Sequence, residues 1–142
     1  MMAQLRTWWL TILLALASPV VRGDIVVVVA LNSSLQQLSM REASDIYLGR
    51  FKAAAGERLL VLDHPGESAL RERFSKQVNG MDLRRLNAYW ARLQFSGETQ
   101  PPVPMDDSQD VIYTIRRNRH AIGYVDASAV DGSVRVVLML RE

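Results

Sequence analysis

The sequence has no cysteine, so an oxidising compartment neither helps nor harms it and stability rests on packing alone. It has only two histidines, His64 and His120, far apart and outside any His-Glu-x-x-His pattern, which leaves no cluster for a metal. No cofactor is expected. Asp63, His64 and Ser68 contain the atoms of a hydrolase triad. They are crowded into six positions with no nucleophile-elbow motif around the serine, so the chain reads as a non-enzyme. Internal repeats, low-complexity tracts and linkers are also missing. The chain further lacks a hydrophobic run long enough to cross a bilayer. The fifteen residues between Arg6 and Arg22 fall short of the roughly 17 to 25 that spanning requires.

What that N-terminal run does fit is a secretory signal peptide over residues 1–23. Arg6 precedes an apolar stretch from Trp8 to Ala17, and small residues follow at Ala15, Ala17 and Gly23. The expectation is export to the periplasm, with a short membrane anchor as the alternative. Removing Arg6 and Arg22 leaves 15 basic against 15 acidic residues, so the mature domain is neutral and no nucleic-acid partner is expected. A basic cluster at Arg116, Arg117, Arg119 and His120 reads as a helix end, where cations meet the negative pole of the macrodipole. Residues 24–142 suffice for one domain and not for two.

Elements alternate along that domain. Residues 24–30 (DIVVVVA) form a continuous β-branched run, the pattern of a strand buried on both faces of a parallel sheet. Ser39 and Glu42 make a capping box for a short helix that stops at Gly49. Residues 58–63 (RLLVLD) read as a second strand, Pro65 and Gly66 break the chain, and helical spacing returns over residues 68–78. Asp82 caps a third helix with Leu83, Leu86, Trp90 and Leu93 on one face, and Tyr89, Trp90 and Phe95 are expected in the core. Pro101 to Pro104 reads as a rigid connection between helices. Asp107 or Ser108 caps a fourth helix stopping near Asn118, and two strands follow at residues 121–125 and 134–140. The order β-α-β-α-α-α-β-β predicts an α/β three-layer sandwich with right-handed crossovers.

Three stretches carry more specific information: SDIYLGRF (residues 44–51), LNAYWARLQFSG (86–97) and HAIGYVD (120–126). In that order they resemble the substrate-binding proteins of bacterial phosphate ABC transporters, which carry an Ile-Phe-Leu-Gly-Lys helix end, a Tyr-Trp helix running into a Phe-x-Gly loop, and an Ala-Ile-Gly-Tyr-Val strand. The resemblance implies a periplasmic-binding-protein-like (PBP-like) domain over residues 24–142. Against the longer two-lobed members of that family, it resembles one lobe of a type II periplasmic binding protein.

It also implies a phosphate loop of the form Arg-x-x-x-Ser-Gly-Thr ahead of a helix. Matching Ser68 to that serine puts His64, Ala69 and Leu70 at the arginine, glycine and threonine positions, with Glu67 alongside. Candidate ligand residues are therefore His64, Gly66, Ser68 and Arg71 in this loop, and Asn32, Ser33 and Ser34 after the first strand. Arg71 also reads as a surface i, i+4 partner of Glu67, and Asp63 and His64 as an acceptor and a donor for nearby backbone. Phosphate or a similar small anion is the expected solute, and a membrane transporter or another envelope protein the expected partner. The alternative is an envelope interaction module with a degenerate ligand site.

Overall fold

The computed structural model describes residues 23–50, 53–54, 57–97 and 99–141. The leader read into residues 1–23 lies outside this range apart from Gly23.

Inside its sheet runs β1 (Ile25–Ala30), all six residues of which are buried. The sheet order is β5-β4-β6-β1-β7, with β4 at Leu60–Asp63, β5 at Val103–Pro104, β6 at Ala121–Asp126 and β7 at Val134–Leu140. Strands β4, β5 and β6 run parallel. β1 runs antiparallel to both neighbours, β6 and β7. The apolar run therefore correctly signals burial on both faces and wrongly signals a parallel neighbourhood. Two-sided burial follows from sitting mid-sheet under helices, and side chains carry no record of strand direction.

Alternation along β1 feeds two cores. Ile25, Val27 and Val29 meet Ala43, Ile46 and Tyr47 of α1 (Met40–Tyr47) and Phe74 and Val78 of α2 (Ala69–Asn79). Val26, Val28 and Ala30 meet Val111, Ile112 and Ile115 of α4 (Ser108–Arg117). The result is the three-layer sandwich expected from sequence. Gly123 makes the α4 layer possible, since a Cβ there would stand 2.5 Å from Val111 Cγ1. A third cluster, Leu48, Leu86 and Trp90, attaches α3 (Leu83–Ser96).

The expected caps are present. Ser39 and Glu42 form the capping box, Asp82 and Asp107 cap α3 and α4, and Gly80 and Gly97 end α2 and α3 in the left-handed conformation.

Three expectations change. Arg58 belongs to a two-stranded hairpin, β2 (Ala53–Ala54) with β3 (Glu57–Arg58), so the sheet strand begins at Leu60. The proline stretch contributes β5, whose Val103 and Pro104 pair with Leu62 and Asp63. Proline is tolerated there because β5 is an edge. Phe95 is 97% exposed rather than in the core. A short 3-10 turn, η1 (Ala127–Ala129), follows β6.

Candidate functional site at the carboxyl end of β4

Asp63 ends β4 and is buried, as is His64 after it. The chain then turns through Pro65, Gly66 and Glu67, closed by the Ser68 N–H donating to the Pro65 carbonyl at 2.9 Å. Ser68 is the N-cap of α2, its Oγ accepting from the Arg71 N–H at 3.3 Å. This strand-turn-helix unit places an N-terminus, with its partial positive charge, at the carboxyl end of parallel strands.

Inside the turn lies a buried polar network. Arg71 Nε donates to Asp63 Oδ2 at 3.1 Å, and Arg71 Nη1 donates to the Gly66 carbonyl at 3.0 Å and to Asn87 Oδ1 at 3.2 Å. Asp63 Oδ1 accepts from the His64 N–H at 2.8 Å and from the Tyr124 hydroxyl. His64 Nε2 lies 2.7 Å from the Tyr124 carbonyl, which can only accept, so Nε2 carries a proton. Tyr124 stacks on Phe74 at 3.8 Å, and Tyr47, donating to the Leu62 carbonyl at 2.9 Å, packs edge-on against both rings. Burial, and next the Asp63 carboxylate, push the Tyr124 hydroxyl far above the usual tyrosine range, and the same causes raise Tyr47. Both stay neutral donors at any physiological pH.

Arg71 is thus not a surface partner of Glu67. Its side chain is 10% exposed and pairs with Asp63, at 12%. Asp63 and His64 do satisfy backbone groups, as expected, and Asp63 in addition neutralises the arginine. The packed space beside the network, lined by Tyr47, Asp63, Arg71, Phe74, Ser75 and Trp90 among others, is about 10 Å³. That is room for one water and not for a phosphate, so a solute at this loop has to sit outside, against the first turn of α2. There the Ala69 and Leu70 N–H groups have no acceptor among the described residues, and Glu67 is exposed beside them.

Asn32, Ser33 and Ser34 are not brought to this place. Val61 pairs with Ile122, which pairs with Val29, so β1 leaves the sheet at the rim where β4 enters it. Ser33 is buried, its Oγ accepting from the Leu35 N–H at 3.1 Å. Arg135 of β7 clamps the loop, donating to the carbonyls of Leu31 at 2.6 Å and of Ser33 and Leu35 at 3.0 Å each. The other helix N-terminus at the β4 rim is closed by its own acids: Asp107 accepts from the Asp110 N–H at 2.8 Å, and Asp110 from the Asp106 N–H at 3.3 Å. A wider groove of about 390 Å³ lies away from the polar network, between Leu59–Val61 and Gln100–Val103 with Trp90 at its side. It adjoins the amino half of β4. The described residues hold no metal-ligand cluster and no helix long and apolar enough to cross a membrane.

Sequence reasoning missed Tyr124, Tyr47 and Asn87 as parts of the network. The signal that could have found it is the pairing of a strand-end Asp with an Arg in the first turn of the next helix, with a Tyr inside the apolar strand over residues 121–125.

No family model matches the chain, and no curated protein matches it by sequence. Solved structures do. A protein described as a phosphate ABC transporter substrate-binding protein with bound phosphate, from Clostridium perfringens, superposes with a TM-score of 0.66 and 23% identity over 81% of this chain and 44% of its own. An ABC-type phosphate transport receptor from Vibrio cholerae gives 0.65 and 14% over 81% and 45%. PstS from Borrelia burgdorferi gives 0.60 and 10% over 81% and 46%. The chain spans less than half the length of each, and at these identities the likeness is one of fold: it has the architecture of one lobe of such binding proteins.

Proposed function

We propose that residues 24–142 form an exported solute-binding-type lobe that takes a small oxyanion of the phosphate type at the α2 N-terminus, with a partner surface completing the cleft. The proposed setting is the periplasm, reached through a leader at residues 1–23, and the proposed partner a membrane transporter or another envelope protein. The observation that carries this reading is the Ser68-capped start of α2 at the carboxyl end of parallel β4, on a fold shared with phosphate-binding proteins.

Ser68 Oγ, still able to donate its proton, and the Ala69 and Leu70 N–H groups supply the donors. Arg71 fixes the turn through Gly66, while His64 holds the loop to β6. Asn32, Ser33 and Ser34 take no part at this rim.

Such a half-site binds weakly. Charge-assisted hydrogen bonds contribute about 1.5 to 3 kcal/mol each, against about 4 to 15 kcal/mol of freedom lost on association. Asp63 already neutralises Arg71, and Glu67 adds a carboxylate at the entrance. These two acids favour the second reading, an envelope interaction module whose ligand site has closed on itself.

Calorimetry of the protein with phosphate, with sulfate as control and light scattering on the same sample, separates the two. Saturable heat with phosphate, strengthened in Glu67→Gly, supports the solute-binding lobe. No heat up to millimolar phosphate in either protein overturns it and leaves the interaction module.

A further inference from the structure

Helix α3 is attached by one side only, through Leu86 and Trp90. Its opposite side presents Arg84, Ala88, Ala91 and Phe95 at helical spacing, flanked by Arg85 and Arg92, all exposed. At 97% exposure the Phe95 ring stands almost clear of the protein. A single exposed apolar ring is ordinary by itself; what sets this one apart is the set of arginines on the same face.

No carboxylate occurs from Leu83 to Gly97, the acids standing outside the helix at Asp82 and Glu98. None of the three guanidiniums forms an ion pair among the described residues. Arg85 reaches only the Gly80 carbonyl, at 3.5 Å, and Arg92 lies 5.8 Å from the centre of the Tyr89 ring. Elsewhere Arg50, Arg71 and Lys76 are paired with acids. Helix α4 also ends in exposed arginines, Arg116 and Arg117, but there the Arg117 guanidinium lies 3.9 Å over the Tyr113 ring, whereas on α3 the arginines surround a Phe95 ring that stands clear of the protein.

We propose that this face docks on an anionic phospholipid surface, with Phe95 entering the boundary between headgroups and acyl chains and Arg84, Arg85 and Arg92 binding headgroup phosphates. Charge complementarity selects an acidic partner, and shape selects a membrane over a protein. Alanines at the middle keep the face low, and the stripe from Arg84 to Phe95 is only about 16 Å long and one helix wide. A stable protein interface takes about 800 Å² from each side, far more than this stripe offers. A planar charged surface needs no such area, since it is held by point charges and one aromatic wedge. The guanidinium fork matches phosphate oxygens in pairs.

The absence of native cysteine gives a clean test in the full chain. An environment-sensitive fluorophore is attached to Ala91→Cys or, as control, to Ser128→Cys on the η1 turn at the α4 side of the sheet. Each protein is titrated with vesicles of equimolar phosphatidylglycerol and phosphatidylcholine, or of phosphatidylcholine alone. The expected result is a blue shift with an emission rise of about threefold or more at position 91, with the anionic vesicles only, suppressed by salt. R84E/R85E/R92E removes that response, the corresponding triple lysine variant keeps it, and Phe95→Ala weakens it several-fold. No response at position 91, equal responses at 91 and 128, or equal responses to both vesicles overturns the proposal. Vesicle binding by the leader alone does not depend on Arg84, Arg85 and Arg92, so the R84E/R85E/R92E variant separates it from binding by this face.

Discussion

Two polar loops leave the carboxyl ends of buried strands in this domain, and they have opposite fates. The loop after β4 turns into a capped helix and folds around a buried ion pair, Asp63 with Arg71. The loop after β1 lies along β7, its carbonyls gripped by Arg135 and the Leu38 N–H bonded to Val137 of the strand. Both are short, serine-bearing stretches of similar polarity. What separates them is strand direction. Ligand sites at carboxyl ends are a property of parallel strands with helices following them, and β1 is the antiparallel member of the sheet. Its carboxyl end therefore emerges at the other rim, where the same kind of residues serve to cover a sheet edge.

The sharpest way to break this contrast is at Asp63. Replacing it by Ala strands the Arg71 charge in the interior, and stability should fall by about 3 to 5 kcal/mol in urea denaturation. Pairing the change with Arg71→Met should recover much of the loss, as removal of both charges leaves nothing buried and unpaired. A double mutant no more stable than Asp63→Ala would show that the network acts through something other than the ion pair.

Arg135→Ala should cost about 1 to 3 kcal/mol and release the β1 loop alone. Hydrogen exchange should then quicken over residues 31–38 while residues 63–71 keep their protection. Loss of protection in both loops would mean that the two rims are not independent.

Alkaline pH probes the β4 rim specifically. Tyr47 and Tyr124 hold their protons in the fold, whereas in the unfolded chain they ionise near the ordinary tyrosine value of 10.0. The folded state then binds more protons above pH 10, so stability is unaffected by these groups below that pH and falls as pH rises beyond it. The decline is about 1.4 kcal/mol per pH unit for each tyrosine. Tyr124→Phe should halve the slope. The smallest effect is expected at exposed Glu67, where Glu67→Gln should change stability by less than about 0.5 kcal/mol. Any response there belongs to anion binding, read by calorimetry.

The outline of the fold was legible because its signals are local. The capping box at Ser39 and Glu42, the aspartate caps at Asp82 and Asp107, and the β-branched run at Ile25–Ala30 state their roles within a few residues. Strand direction was not legible, since hydrogen-bond partners of β1 are chosen by β6 and β7, far along the chain. The same limit hid the site. Nothing near Arg71 in sequence distinguishes a surface pairing with Glu67 from a buried one with Asp63. The choice is made by Tyr124 and Phe74, whose stacked rings close the space over the carboxylate. Phe95 misled in the other direction, for hydrophobicity announces a preference for burial without guaranteeing a neighbour to supply it.

The position of β1 also fixes an order of events. Ile25 lies against Asp126 on one side and Leu140 on the other, so the centre of the sheet is assembled from residues more than a hundred positions apart. Helices α1 to α4 can form as the chain emerges, but α1, α2 and α4 have apolar faces prepared for a sheet in which β1 must wait for the last two strands. Closing such loops comes late and slowly. Until β7 arrives, β1 offers a bare hydrophobic edge, and a nascent or translocating chain is at that stage a substrate for chaperones more than a folded protein.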